Sequence, residues 1–187
     1  MTKPIIVGIS GASGIIYGVR ALQLLRECGV ETHLVMSKSA ELTLHYELDM
    51  DLAELRSLAS HVHAIKNVGA AIASGSFVTA GMIVAPCSVR SMSEIATGVT
   101  STLLTRAADV VLKERRRLVL LVRETPLHTG HLRTMTALSE MGAVIAPPVP
   151  AFYSRPESLD AMVTQTVGRA LDLFDLPLDQ VHRWTGE

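Results

Sequence analysis

Three short stretches carry the side chains that could do chemistry, and each directly follows an apolar run. The first is Gly8-Ile9-Ser10-Gly11-Ala12-Ser13-Gly14-Ile15-Ile16-Tyr17-Gly18, behind Pro4 to Ile9. A buried strand that breaks into a glycine- and serine-rich turn and then a helix exposes backbone N–H groups at the positive end of the helix dipole. That arrangement holds a phosphate, so the pattern predicts a nucleotide or another phosphorylated cofactor. The second stretch is Pro86-Cys87-Ser88-Val89-Arg90-Ser91, and the third is Arg123-Glu124-Thr125-Pro126. A charged pair ending a buried strand sits where a ligand belongs. Neighbours on an extended chain point to opposite faces, which argues against a simple salt bridge between Arg123 and Glu124.

The opening turn is not a dinucleotide fingerprint. Its glycines are spaced G-x-x-G-x-x-G, with Ser10 where that motif has its second glycine. The second predicted strand ends at Ser37, not at the acid that would hold an adenosine ribose. Both departures count against NAD. No G-x-x-x-x-G-K-[ST] occurs, which excludes a P-loop NTPase. Taken alone, the turn is also compatible with a tight strand-to-helix connection that binds nothing.

The elements that must position these stretches follow from the apolar periodicity. Strands are expected at Ile5–Ile9, Thr32–Met36, Gly81–Pro86, Arg117–Val122 and Ala143–Ala146, with a short one near His63–Ile65. Helices are expected over about 15–28, from a Ser37 cap to His45, and over 51–59, 88–96, 102–114, 128–141 and 158–174. Pro147-Pro148-Val149-Pro150 must be a loop. Strands alternating with helices of this length imply right-handed βαβ units. The expected fold class is α/β: a single Rossmann-like or flavodoxin-like domain over residues 1–187, with a doubly wound, mainly parallel sheet. Ligands of such sheets lie beyond the carboxyl ends of the strands. Residues 10–14, 37, 86–91 and 123–126 all fall there.

Composition narrows the class. The chain has 187 residues, 48% of them apolar, but only three Phe, three Tyr and one Trp, so the core must be aliphatic. A net charge of −1 leaves no electrostatic footprint for nucleic acid. The high apolar content suggests surface buried between subunits. No stretch is apolar enough for an ordinary membrane span. The short apolar start carries Lys3 and Pro4 and runs straight into the turn, unlike a signal peptide. Two cysteines, Cys28 and Cys87, make no disulfide framework and fit a reducing cytoplasm. No base is placed beside Cys87, which reads as a small buried hydrophobe. His128 and His131 stand at i, i+3 without an evident third ligand, so they read as structural or surface residues and no metal is expected.

Four further segments point to a family. They are Ala73-Ser74-Gly75-Ser76-Phe77, Met82-Ile83-Val84-Ala85-Pro86-Cys87-Ser88, Arg106 through Arg115, and Leu118 through Leu127. With the opening turn and Pro150-Ala151-Phe152-Tyr153, they resemble the UbiX-like flavin prenyltransferases from the first strand to the final helix. The resemblance implies a homododecamer that binds reduced FMN and dimethylallyl monophosphate without a metal. It implies transfer of the prenyl group to flavin N5 and C6, with prenylated FMN as the product for a UbiD-type decarboxylase.

The same resemblance assigns roles. Ser10, Gly11, Ala12 and Ser13 would cradle the FMN phosphate and flavin edge. Ser37, Ser88, Val89, Arg90, Ser91 and Arg123 would complete the FMN contacts, with Arg90 acting through its backbone. Ser37 and Ser88 also read as plain helix caps. Lys113, Tyr153 and Arg169 would grip the prenyl phosphate, for which two cations and a phenol are suitable chemistry, and Ser74 would lie beside them. Glu124 would move protons near flavin N5, while Glu47 and Ser13 would stand at the reacting groups. Neighbouring subunits would complete each site. Trp184 would either cover the site or anchor the C-terminal segment, and most of Lys113-Glu114-Arg115-Arg116-Arg117 would be solvated or at an interface. Two other readings remain. An FMN-dependent cysteine decarboxylase of similar fold carries Pro-Ala-Ser-Ala-Asn-Thr where this chain has Pro86 to Ser91, and the missing asparagine disfavours it. A non-catalytic flavin carrier would need binding without transfer.

Overall fold

The computed structural model describes residues 2–176 and 178–186; Met1, Pro177 and Glu187 of the expected 1–187 span lie outside the described residues. Among the described residues six strands are present: β1 Ile5–Ile9, β2 Thr32–Met36, β3 His61–His63, β4 Gly81–Cys87, β5 Arg117–Val122 and β6 Val144–Ile145. They form one sheet in the order β3-β2-β1-β4-β5-β6. Every pairing is parallel, so the sheet expected to be mainly parallel is wholly so. β1, β2 and β4 are buried along their full length, which is why they read as unbroken apolar runs rather than alternating ones.

Among the described residues seven α-helices cover the sheet: α1 Ile15–Glu27, α2 Lys38–Glu47, α3 Leu52–Ser57, α4 Val89–Thr97, α5 Leu103–Lys113, α6 Thr129–Glu140 and α7 Leu159–Leu171. Alternate strand residues feed two cores. On one face Val7, Ile9, Ile83 and Leu121 meet Leu22 and Leu25 of α1 and Val167 and Leu171 of α7. On the other, Ile6, Met82, Val84 and Leu120 meet Met92 of α4, Leu104 and Val111 of α5, and Leu138 of α6. The chain leaves β1 toward β2 and β3, then returns to β4 on the far side of β1. The topological switch point therefore lies between β1 and β4, where their loops diverge to opposite faces.

Side-chain caps fix most helix starts. Ser37, Asp51, Ser88, Thr102, His128 and Ser158 each accept a first-turn N–H. Among the boundaries that differ from expectation, three have a clear physical reason. The short strand lies at His61–His63, because it is its register against His33 to Val35 that makes it a strand. β4 runs through Pro86 to Cys87, and its pairing with β5 shifts register between Val84 and Cys87, where a residue without an N–H is tolerated. The closing helix stops at Leu171 and tightens into a 3-10 turn over Asp172–Phe174.

α1 rides unusually close to the sheet at Gly18. A Cβ there would meet the Ala85 carbonyl oxygen at 2.4 Å and the Ile9 side chain at 2.7 Å. Ala in a helix interior is normally worth ~0.5–1 kcal/mol over Gly. Here backbone contact reverses the sign, since a rigid carbonyl cannot yield as a side chain can. Gly18→Ala is expected to destabilise the fold by about 1–3 kcal/mol, read as a lower urea midpoint at unchanged slope.

Candidate active site

The loops after β1 and β4 are joined by one hydroxyl. Ser10 is fully buried; its Oγ donates to the Pro86 carbonyl (2.9 Å) and accepts the Ser88 N–H (2.7 Å). The Ser10 N–H donates to that carbonyl as well (3.2 Å). The Ser10 hydroxyl is thus paired on both sides inside the protein. Ser37 is pinned from the other side: its N–H donates to the Ile9 carbonyl (2.9 Å) and its Oγ accepts the Ala40 N–H (3.1 Å). Ser88 accepts the Ser91 N–H and donates to the buried Ser91 Oγ, both at 3.2 Å. Ala12 turns back through its N–H to the Ser10 carbonyl (2.9 Å).

Helices α2 and α4 thus begin side by side, and both open onto a cleft of about 250 Å³. Its lining includes Gly11, Ser37, Lys38, Ser39, Ser88, Arg90 and Ser91, with Lys66 at the wall. Gly11 is required by packing, since a Cβ there would stand 2.2 Å from Ser39 Cβ. Two helix N-termini, hydroxyls and three cations, one of them paired with Glu94 of the same lining, give this cleft donors suited to an anion. Arg90 reaches Glu94 through Nε (3.0 Å). Glu94 is held below its ordinary value, chiefly by the Ser101 hydroxyl. Val89 is half-buried at the start of α4. Lys38, Ser39 and Lys66 were not picked out from sequence; the first two simply continue the helix that Ser37 opens.

The N-terminus of α1 is different. Glu47 Oε2 accepts the N–H groups of Gly14 (2.8 Å) and Ile15 (3.0 Å). Partial burial works to raise the Glu47 pKa, but the Ser13 hydroxyl, the two amides and the charge of Arg123 outweigh it and hold the carboxyl below 4.5. The two amides at the head of α1 that the turn predicts for a phosphate therefore carry an internal carboxylate. The first-turn amides of α2 and α4 carry no such internal carboxylate among the described contacts. Ser13, Glu47 and Arg123 are brought together at the carboxyl edge of the sheet. Arg123 is half-buried and extends the ladder, its N–H donating to the Cys87 carbonyl (3.0 Å). Glu124 is exposed and accepts the N–H of its own neighbour Thr125 (3.0 Å). Cys87 is fully buried, and burial pushes its thiol up to about 12, so it is inert.

The residues expected to grip a prenyl phosphate are carried by elements on different faces of the sheet, α5 on one and α7 on the other. Lys113 ends α5, bound to Glu114 (2.5 Å) and adjacent to Gly75 of the Ser74 loop. Arg116 fastens that loop through the carbonyls of Phe77 (2.7 Å) and Gly75 (2.6 Å). It is half-buried, unlike the solvated run expected around it. Tyr153 and Arg169 belong to the opposite face, with α7. There Arg169 and Arg183 both bind Asp172. Trp184 stands edge-on to Tyr153 with ring centres 6.0 Å apart. No sequence pattern signals Arg116 or Arg183, because their partners are remote carbonyls and a carboxylate brought up by the fold.

An all-parallel doubly wound sheet with an anion cleft at its switch point defines a phosphoryl-ligand-binding α/β protein of the flavoprotein type. The flavoprotein family model matches residues 1–169. Flavin prenyltransferase UbiX of Escherichia coli K12 is 59% identical over 187 residues, covering 98% of this chain and 99% of the relative. The crystal structure of AnUbiX (PadA1) in complex with FMN and dimethylallyl pyrophosphate superposes with a TM-score of 0.98 at 49% identity over 100% of both chains. A dodecameric FMN-dependent UbiX-like decarboxylase of E. coli O157:H7 gives 0.95 at 49% identity, covering 98% of this chain and all of the other. The chain belongs to the UbiX-type flavin prenyltransferases.

Glu47 offers a direct check of the α1 cap. Its depressed pKa means that its stabilisation is complete above the unfolded value of 4.5 and is lost as pH falls through the lower folded value. Glu47→Gln keeps an acceptor and removes the charge. At neutral pH the variant is expected to be about 0.5 kcal/mol less stable, a small figure because the site is largely solvated. The gap should close in acid; chemical denaturation series from ~pH 7 to ~pH 3 that run parallel would refute the cap's electrostatic nature.

Proposed function

We propose that the enzyme transfers the dimethylallyl group of dimethylallyl monophosphate to N5 and C6 of reduced FMN, releasing phosphate and delivering prenylated FMN to a UbiD-type decarboxylase. One observation carries this: the cleft between α2 and α4 lies in a fold that superposes along its whole length on a relative crystallised with FMN and dimethylallyl pyrophosphate. The residues present suit FMN. The first-turn amides of α2 and α4, with Ser37, Ser88, Ser91 and the Arg90 backbone, receive its phosphate, and Gly11 and Ala12 keep the neighbouring turn small. Reduced flavin supplies the nucleophilic N5 and C6, and the allyl phosphate supplies the electrophilic carbon.

The protein's own part is positioning and charge. Ser13, Glu47 and Arg123 form the polar edge against which the flavin is oriented. Tyr153 and Arg169 hold the prenyl phosphate and take up its charge as it leaves. Lys113 and Ser74 stand across the sheet from them, so a neighbouring subunit supplies that pair. A dodecamer like that of the E. coli relative provides such contacts. Exposed Tyr46, Phe152 and Leu159 give it apolar surface to bury. Glu124, free of any ion pair among the described residues, is placed to move a proton. No helix among the described residues is long and apolar enough to cross a membrane, and both cysteines are free. We place the enzyme in the cytoplasm.

Incubation with reduced FMN and dimethylallyl monophosphate under nitrogen is expected to give a flavin heavier by one prenyl unit. No mass gain would overturn the assignment, and a parallel incubation with the diphosphate decides which donor is used. Arg169→Ala is expected to keep FMN binding and lower turnover about 100-fold, the scale of losing one charge-stabilising donor. Full prenylation by that variant would refute the role of Arg169. An unmodified wild-type product with intact FMN binding would instead favour a carrier.

A further inference from the structure

The β2–β3 edge of the sheet gathers four polar side chains that no part of the flavin chemistry uses. β2 and β3 pair with His33 opposite His61 and Val35 opposite His63. Side chains two apart on a strand share a face, and so do direct cross-strand partners. Glu31, His33, His61 and His63 therefore all project to one side. His33 Nε2 lies 3.2 Å from Glu31 Oε1, and His61 Nε2 lies 3.1 Å from the same oxygen. The three ligating atoms all fall within 4.8 Å of one another.

We infer that Glu31, His33 and His61 form a site for a divalent transition metal of the zinc type. The donor set of two imidazoles and a carboxylate is one that zinc takes, and bonds of ~2.0–2.1 Å in a tetrahedron place ligand atoms ~3.3 Å apart. The 3.1 and 3.2 Å separations of the two imidazole nitrogens from Glu31 Oε1 lie close to that spacing. The supporting contacts are those a metal-bound histidine needs. His33 is almost wholly buried, with its side chain only 6% exposed. Its other nitrogen, Nδ1, meets His63 Nε2 at 2.9 Å, which fixes the ring and leaves Nε2 for the metal. Phe77 packs on the same ring, with centres 5.0 Å apart. His61 and Glu31 are each about half exposed, so the ion has an entry path and a fourth position open to water. His33 precedes Ser37 by four residues, or ~13 Å of strand, so the site is separate from the flavin cleft. The metal's effect is to clip the three-residue edge strand β3 to β2.

The test uses the untagged full-length chain, stripped with chelator and titrated with zinc chloride by calorimetry, then with cobalt chloride for its visible spectrum. One equivalent per chain is expected, with a tetrahedral cobalt band. His61→Ala and Glu31→Gln, both altered at exposed side chains, should weaken zinc at least tenfold, and His63→Ala by about 10–100-fold. FMN binding by each variant reports that the fold is intact. His131→Ala, altering the stacked His128–His131 pair, should bind zinc as the parent does. Absence of saturable binding, unchanged affinity in His61→Ala, or loss confined to His131→Ala would each overturn the proposal.

Discussion

Ser10 holds the active-site end of the molecule together. The strands β1 and β4 are neighbours, yet the loops leaving them diverge to opposite faces of the sheet, and nothing in the ladder itself keeps those loops in contact. A buried hydroxyl that donates to Pro86 and accepts from Ser88 closes the gap. Left unpaired, that hydroxyl would cost ~1–3 kcal/mol at such depth, so the two loops are strongly coupled. The parallel constraint lies at Ser37, held to the end of β1 by its N–H. Together they set the starts of α2 and α4 beside each other, and the anion cleft is a consequence.

The distribution of charge follows the same logic. Three helices start at this edge of the sheet in close succession, and each presents partial positive charge. One of them, α1, is neutralised from within by Glu47, whereas α2 and α4 are capped by neutral serine hydroxyls. An ionised carboxylate beside Ser13 and Arg123 then borders the cleft without competing for its amides. Lys113 closes a helix on one face of the sheet and Arg169 belongs to a helix on the other.

Much of the fold was legible in the residues. β1, β2 and β5 fall where unbroken apolar runs place them, because strands covered on both faces cannot alternate. The helix starts follow from Ser37, Ser88, Thr102 and Ser158, whose side chains satisfy amides a few residues ahead. The chain segments of the site were visible too, since a parallel sheet sends every strand's carboxyl end to one edge. The roles within them were less so. Ser10 looks in sequence like any serine of a phosphate loop; only its burial between two loops shows that its hydroxyl is committed. Glu47 lies 33 residues from Gly14, and no local pattern announces that it caps α1. Arg116 sits in a basic run that reads as solvent-facing, yet it grips two carbonyls of a distant loop.

By itself, the sequence determined what local chemistry can determine: which runs are apolar, where turns and caps must fall, and the family whose motifs the chain carries. These depend on neighbours along the backbone, so they are written in order. The tertiary structure alone decided register and convergence. It set His33 opposite His61, turned Ser10 inward, brought Glu47 to a helix start and separated Lys113 from Arg169 by the thickness of the sheet. Such pairings arise from the folding of residues tens of positions apart, and a hydroxyl, carboxylate or imidazole has the same identity in the sequence whether it faces a ligand, a backbone amide or another side chain.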